Sequence, residues 1–293
     1  MDNIGIITEE TADFTPELIE EHQIATVPIS LHWPEVQQIQ GQNIFQKMRK
    51  LEKRGIESFG KTAQASPGEY LSRYLEQINR FKKVICITIS SRLSGSYNTA
   101  ILAKKLLPEK EQEKVFVVDS LNGSGGQALV ALKAIDLIKT GTAVQDVVRE
   151  LTELIIPHVR LFVMCRDIKW GEASGRVSHV AANILRGMAR LGIAPLLACE
   201  KGAFAPAGLK IRAKDAVDVL FRQLEEDTRK IRAAGGRVRV AITHGDNLQN
   251  ALRLKEKAEN ELNNVKVVLT NIINDVIGAP AGPDVLTMAW CRE

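Results

Sequence analysis

An apolar, β-branched run, Val84-Ile85-Cys86-Ile87-Thr88-Ile89, stops abruptly in Ser90-Ser91-Arg92-Leu93-Ser94-Gly95-Ser96, and helical apolar spacing begins near Tyr97. A run of this kind is a buried parallel strand feeding directly into a helix. It delivers serines to the amino end of that helix, where unpaired backbone N–H groups and the helix dipole favour an anion. Serine is also a preferred helix cap, so simple capping by Ser94 or Ser96 is the competing reading.

The first half repeats the same grammar. Strands are expected at Ile4–Thr8, Ile24–Ile29, Lys83–Ile89, Val115–Val118 and Val159–Met164. Helices are expected at Thr15–His22, Ile44–Arg54, Gly68–Arg80, Thr99–Leu107, Gly126–Lys139 and Ala143–Ile155. Ser66-Pro67-Gly68-Glu69 has the letters of a capping box with proline at the first helical position. Strand–helix alternation of this kind predicts a parallel sheet covered on both faces, a three-layer αβα domain.

The second half changes character. Gly171 to Arg176 reads as a polar loop, followed by a helix from about Ala181 to Arg190. Leu196–Cys199 and Phe204–Pro206 form a hairpin about Lys201-Gly202. Helices Ala213–Ala233 and Leu248–Glu261 alternate with strands Val238–Thr243, Val265–Thr270 and Val285–Trp290. Hairpins mixed with crossovers indicate a smaller α+β domain with a mixed sheet. A chain of 293 residues exceeds the usual size of one core. The expected division is 1–160 and 161–293, with the chain free to cross between domains more than once.

Composition narrows the function. A net charge of +4, with no basic block interleaved with aromatics, makes no case for nucleic acid. Met1-Asp2-Asn3-Ile4-Gly5-Ile6-Ile7 reads as a strand rather than a signal peptide, and no segment approaches the ~20 apolar residues of a membrane span. A cytoplasmic protein is expected. The four cysteines are scattered without a C-x-x-C pair, and Cys86, Cys165 and Cys199 sit in apolar runs as buried thiols, so no metal site is expected. Gly123-Ser124-Gly125-Gly126-Gln127-Ala128 has the letters of a dinucleotide fingerprint, but Asp119-Ser120-Leu121-Asn122 separate it from the strand and Asp146 falls in a helix. It is read as helix–sheet packing. No cofactor is expected. No serine or cysteine stands in a nucleophile elbow. Of the five histidines, His244 at a strand end is best placed for a site, yet it makes no triad.

Hydroxyl and glycine punctuation recurs after strands and before helices: Thr8–Asp13, Lys61–Glu69, Ser90–Ser96 and Asp119-Ser120. Parallel strands place their carboxyl ends along one edge, so these loops are expected to meet at one crevice. Hydroxyls and amides without an adjacent base suit holding a carboxylate or phosphate better than nucleophilic catalysis.

The chain resembles the DegV family of bacterial fatty-acid-binding proteins from end to end. Thr8-Glu9-Glu10-Thr11-Ala12-Asp13 resembles the opening T-D-S-T-A-D, and Thr62-Ala63-Gln64-Ala65-Ser66-Pro67-Gly68-Glu69 resembles T-S-Q-P-S-P-x-E. Ser90-Ser91-Arg92-Leu93-Ser94-Gly95-Ser96-Tyr97 is close to S-S-x-L-S-G-T-Y, the most distinctive motif. Val118-Asp119-Ser120, Gly175-Arg176 and Lys210-Ile211-Arg212-Ala213-Lys214 match shorter segments. Ile277-Gly278-Ala279-Pro280-Ala281-Gly282-Pro283-Asp284 aligns with I-G-x-H-x-G-P-G.

That resemblance implies an acyl chain buried in an interdomain tunnel, with its carboxylate held by Thr62 and Ser94 and with Gly95, Ser96 and Pro280 beside it. Each buried methylene contributes about 0.8 kcal/mol, so a long chain gains on the order of 10 kcal/mol. The resemblance also implies a non-catalytic carrier of a long-chain fatty acid or similar lipid that presents the acid to an ATP-dependent fatty acid kinase subunit, with Arg176 and Arg212 as docking residues. Pro280 departs from the family's histidine and offers no donor. Ala63 and Ala65 replace a serine and a proline, and Ala173-Ser174 precede Gly175 where a leucine- or lysine-rich approach to two glycines is usual. Two alternatives stay open: a lineage member with altered or lost acid binding that acts as an interaction module, and a hydrolase or phosphotransferase using the same crevice.

Overall fold

Strands that are apolar on both faces build the first sheet. Ile4–Glu9 is buried at every position, and Lys83–Thr88 at every position but its first. The computed structural model describes residues 3–190, 195–209 and 215–293. Its contacts gather into two units. The first comprises Met1–Ser30, Ala63–Val159 and Lys201–Ala203; the second comprises Leu31–Thr62, Arg160–Glu200 and Phe204–Glu293. The second is the longer, although the α+β domain is expected as the smaller, because Leu31–Thr62 joins it.

In the first unit four strands lie in the order Ala25–Val27, Ile4–Glu9, Lys83–Thr88, Val115–Asp119, all parallel. Helices Pro67–Ile78 and Ser96–Lys105 pack on one face, where Tyr70, Tyr74, Ala100 and Ala103 meet Ile7, Val84 and Cys86. Helix Ser124–Lys139 also packs on strands Ile4–Glu9 and Lys83–Thr88. The helix before Lys83–Thr88 carries the full capping box. Ser66 accepts from the Glu69 amide, and Glu69 accepts from the Ser66 amide. The order reverses direction between Ile4–Glu9 and Lys83–Thr88. The carboxyl ends at such a switch point are where open α/β sheets bind ligands.

The second unit holds a six-stranded mixed sheet, ordered Val265–Ile272, Val238–His244, Leu286–Arg292, Arg160–Met164, Pro195–Glu200, Ala203–Leu209. The first pair is parallel and the next three pairs are antiparallel. The hairpin at Lys201-Gly202 has positive φ at both turn residues, +48° and +85°, as a tight two-residue turn requires. Helices Ala216–Ala233 and Leu248–Glu261 bury Leu220, Leu224, Ala251 and Leu254 against Val240, Ile242 and Met288.

The segment 31–62 belongs here for a physical reason. Arg49 on helix Ile44–Lys53 pairs with Asp246 and Asp284, both at 2.6 Å. Phe45 of the same helix fills the space that a Cβ on Gly245 or Gly278 would occupy.

Several elements differ from expectation. Of Ile24–Ile29 only Ala25–Val27 is a strand, and a separate short strand beyond it, Ser30–His32, pairs with Lys61–Ala63. Ala143–Ile155 is α-helical only over Val144–Glu150 and widens to a π-helical turn over Leu151–Ile155. The expected loop at Gly171 begins inside helix Lys169–Ala173, which buries Trp170. A short helix, Asp275–Ala281, capped by Asn274, encloses Pro280. Helix Ala216–Ala233 starts at an Asp215 cap, and its expected beginning at Ala213 lies outside the described residues. Cys86 and Cys199 are buried, whereas Cys165 is half-buried. Among the described residues no helix is long and apolar enough to cross a membrane.

Candidate functional site

The carboxyl edge of the parallel sheet is organised around a buried carboxylate. Glu9 closes the first strand and is 1% exposed. It accepts from the Tyr70 hydroxyl at 2.6 Å, the Ile89 amide at 2.6 Å and the Gln127 amide at 2.7 Å. Gln127 is held in turn by Thr8 and Thr11, both at 2.9 Å. Burial pushes the Glu9 carboxyl above its usual range, against the pull of those donors. The sequence gives no sign of this. Glu9 looks like one of two adjacent surface acids, and only the pairing of strands encloses it.

The Gly123–Ala128 segment serves this network. Ser124 donates to Asp13 at 2.5 Å, and Gln127 is wholly buried. Gly126 allows a close approach to the loop before its helix: a Cβ there would lie 2.4 Å from Asn122 Oδ1.

The serine segment follows the neighbouring strand. Ser90 Oγ donates to the Gly202 carbonyl at 2.7 Å, and Asp119 accepts from the Ser91 and Leu121 amides. Gly95 occupies the cap position of helix Ser96–Lys105, with no side-chain cap bond. Ser94 Oγ lies 3.0 Å from Ser96 Oγ and accepts from the Ser96 amide at 3.3 Å. Ser96 is wholly buried, while Ser94 is half-buried. Ser94 is therefore a reachable hydroxyl whose partner is another hydroxyl and not a base.

In the second unit, Thr62 stands on strand Lys61–Ala63, and Arg176 Nη2 donates to its hydroxyl at 2.8 Å. Arg176 is half-buried, and burial lowers its pKa. Among the described residues no carboxylate pairs with it. Its backbone amide donates to the Gly171 carbonyl, as does that of Val177. Trp170, one residue before Gly171, packs against Trp33 and Phe59 with centroids 5.9 and 5.3 Å away. Gly282, with φ +84°, leaves room for this indole: a Cβ there would lie 2.3 Å from Trp170 Cδ1. Pro280 sits within helix Asp275–Ala281 and contributes no N–H.

Of the residues singled out from sequence, Ser94, Gly95 and Ser96 lie together in the first unit, and Thr62, Arg176 and Pro280 lie in the second. The pairing of Arg176 with Thr62 escaped the sequence because 114 residues separate them. Arg212 lies outside the described residues. His244 is 5% exposed and accepts from the Asn247 amide. Burial depresses its pKa although Asp246 opposes the shift.

Comparison with known proteins follows from this arrangement. Residues 3–293 match the family described as "Uncharacterised protein, DegV family". A DegV domain-containing protein of Clostridium perfringens is 29% identical, covering 100% of each chain. A protein of Thermotoga maritima named "Fatty acid-binding protein" is 28% identical over 94% of this chain and 96% of its own length. The crystal structure of DegV, described as a fatty acid binding protein from Bacillus subtilis, superposes with a TM-score of 0.79 at 25% identity, covering 100% of both chains.

Proposed function

The chain belongs to the DegV family, and from that premise we propose that it is a non-catalytic carrier of a long-chain fatty acid. In this reading Arg176 and Thr62 hold the carboxylate together with Ser94, and the acyl chain lies in the interdomain tunnel that the family likeness implies. The observation that carries the reading is Arg176. A half-buried guanidinium that donates to a hydroxyl and faces no carboxylate among the described residues is short of an anion. Burying a cation without a counter-charge costs several kcal/mol, so such a site gains by taking a carboxylate. Arginine also offers a planar pair of donors that matches a carboxylate. It supplies the positive charge that Pro280 does not. This moves Arg176 from partner docking to the head group.

Handing the acid to a separate ATP-dependent kinase, which would form an acyl phosphate, extends the same proposal and rests on the family likeness. Arg212 stays in it as a docking residue.

Solvent extraction of the purified protein followed by mass spectrometry tests the carrier reading. A stoichiometric acyl species is expected, and the stripped protein rebinds a fluorescent long-chain acid. Failure to rebind any acid favours an interaction module, and turnover of ester or phosphate substrates favours an enzyme. Pro280 supports one further reading, a neutral ligand; a fatty alcohol that binds better than the matching acid would select it.

A further inference from the structure

We propose that the second unit carries a site for a free α-amino acid with an apolar side chain, in a cavity between its mixed sheet and helix Ala216–Ala233. Neither Thr62, Arg176 nor Pro280 lines this cavity, and the proposal does not depend on the carrier reading.

The cavity has a volume of about 350 Å³, at the lower end of small-molecule sites. Its floor follows from the strand register. Trp290 stands opposite Arg160, and Phe162 opposite Ala198. Carried two residues further, the second register sets Arg160 opposite Glu200. Side chains alternate between faces along a strand, so these five residues share one face of the sheet. All five line the cavity. The floor is apolar at Trp290, Phe162 and Ala198, and charged beside them at Arg160 and Glu200. Gln223 and Asp227, one helical turn apart, form the wall. Asp227 accepts from the Gln223 amide at 2.8 Å and from the Trp290 indole N–H at 3.2 Å. The indole is thus held in place by the protein itself, which lowers the cost of ordering it around a ligand.

The two charges at the side of the floor select the ligand. No ion pair joins Arg160 to Glu200, and neither has another charged partner among the described residues. Both are exposed. An exposed contact between them would be worth little in water, so a ligand inserted there disrupts little. Neighbouring strands lie ~4.8 Å apart, which brings both head groups within reach of one small molecule. An α-amino acid carries its carboxylate and its ammonium on a single carbon. The carboxylate takes the guanidinium fork of Arg160, and the ammonium donates to Glu200. The side chain then lies over Phe162 and the Trp290 indole, out of water. A fatty acid lacks the ammonium, and its carboxylate would face Glu200.

Titration of the isotope-labelled full chain with phenylalanine, followed at the tryptophan indole N–H resonances, tests the site. The chain has three tryptophans, and Trp290→Phe identifies the resonance that matters. That resonance is expected to shift saturably with millimolar phenylalanine or leucine, while those of Trp33 and Trp170 stay fixed. Phenylalanine amide lacks the carboxylate and N-acetylphenylalanine lacks the ammonium. Each should bind about tenfold more weakly or worse. Arg160→Gln and Glu200→Gln should each lose about tenfold in affinity for phenylalanine, with the unfolding midpoint unchanged. A Trp290 resonance that stays fixed with both amino acids overturns the proposal. Equal binding of phenylalanine, its amide and its N-acetyl form does so too, and makes the cavity a general apolar pocket. Unchanged affinity in both variants also overturns it.

Discussion

The buried Glu9 of the first unit and the ion-pair clusters of the second hold charge in different ways. In the first, Glu9 is buried and held by dipoles: a phenol, a backbone amide and a side-chain amide. In the second, charges neutralise one another, Arg49 with Asp246 and Asp284, Arg166 and Lys169 with Glu52, and Arg186 with Glu172. Arg176 departs from that pattern, with a hydroxyl partner and no carboxylate among the described residues. The contrast separates structural from functional charge. Glu9 is saturated by donors and belongs to the fold, whereas Arg176 lacks its anion and belongs to a ligand.

Breaking that contrast at Arg176 has the largest expected effect. Arg176→Met should weaken long-chain acid binding by about 2–4 kcal/mol, the range for truncating a buried charge pair, and leave alcohol binding unchanged. Its stability to denaturant should hold or rise, because an unpaired buried cation is removed. Parallel losses in acid and alcohol affinity would show that Arg176 shapes the pocket instead.

Glu9→Ala is the counterpart in the first unit, and the loss falls on the fold. Tyr70, Ile89 and Gln127 lose their acceptor, for about 2–3 kcal/mol of stability in urea unfolding. An unchanged midpoint would mean that the network re-pairs internally.

Ser94→Ala sharpens the comparison from the binding side. It should cost about 1–3 kcal/mol in acid affinity with little change in stability, as for a lost hydrogen bond to a charged group. Unaltered affinity in a fluorescent-acid titration would confine Ser94 to the turn.

Pro280→His restores a donor in the second unit and should tighten acid binding by roughly 1–2 kcal/mol. An indifferent response, with the alcohol preferred, points to a neutral ligand.

The smallest effect concerns His244. Burial holds its folded pKa below that of a free imidazole. Below that value the unfolded chain binds more protons, so stability declines as pH falls through the window down to the depressed folded pKa. His244→Gln should flatten that slope in unfolding midpoints measured from neutral to mildly acidic pH.

Much of the fold is legible along the chain because local rules write it. Apolar runs free of polar alternation marked the parallel strands, as Ile4–Glu9 and Lys83–Thr88 bear out. The Ser66–Glu69 box fixed a helix start through bonds three residues apart. Lys201-Gly202 marked a hairpin because few residue pairs tolerate two positive φ values. Pro280 hid a helix, since proline in its interior argues against one and the Asn274 cap is a weak signal.

The sequence by itself thus determined the alternation of elements, the parallel and mixed sheets, and the serine turn at a helix start, all governed by periodicity and capping within a few residues. Tertiary structure alone decided that residues 31–62 join the second unit, through Arg49 contacts 197 and 235 residues away. It also decided that Glu9 is buried and that Arg176 meets Thr62. A carboxylate or guanidinium carries no local mark of its partner. Its desolvation and its hydrogen bonds exist only once distant strands and loops have enclosed it.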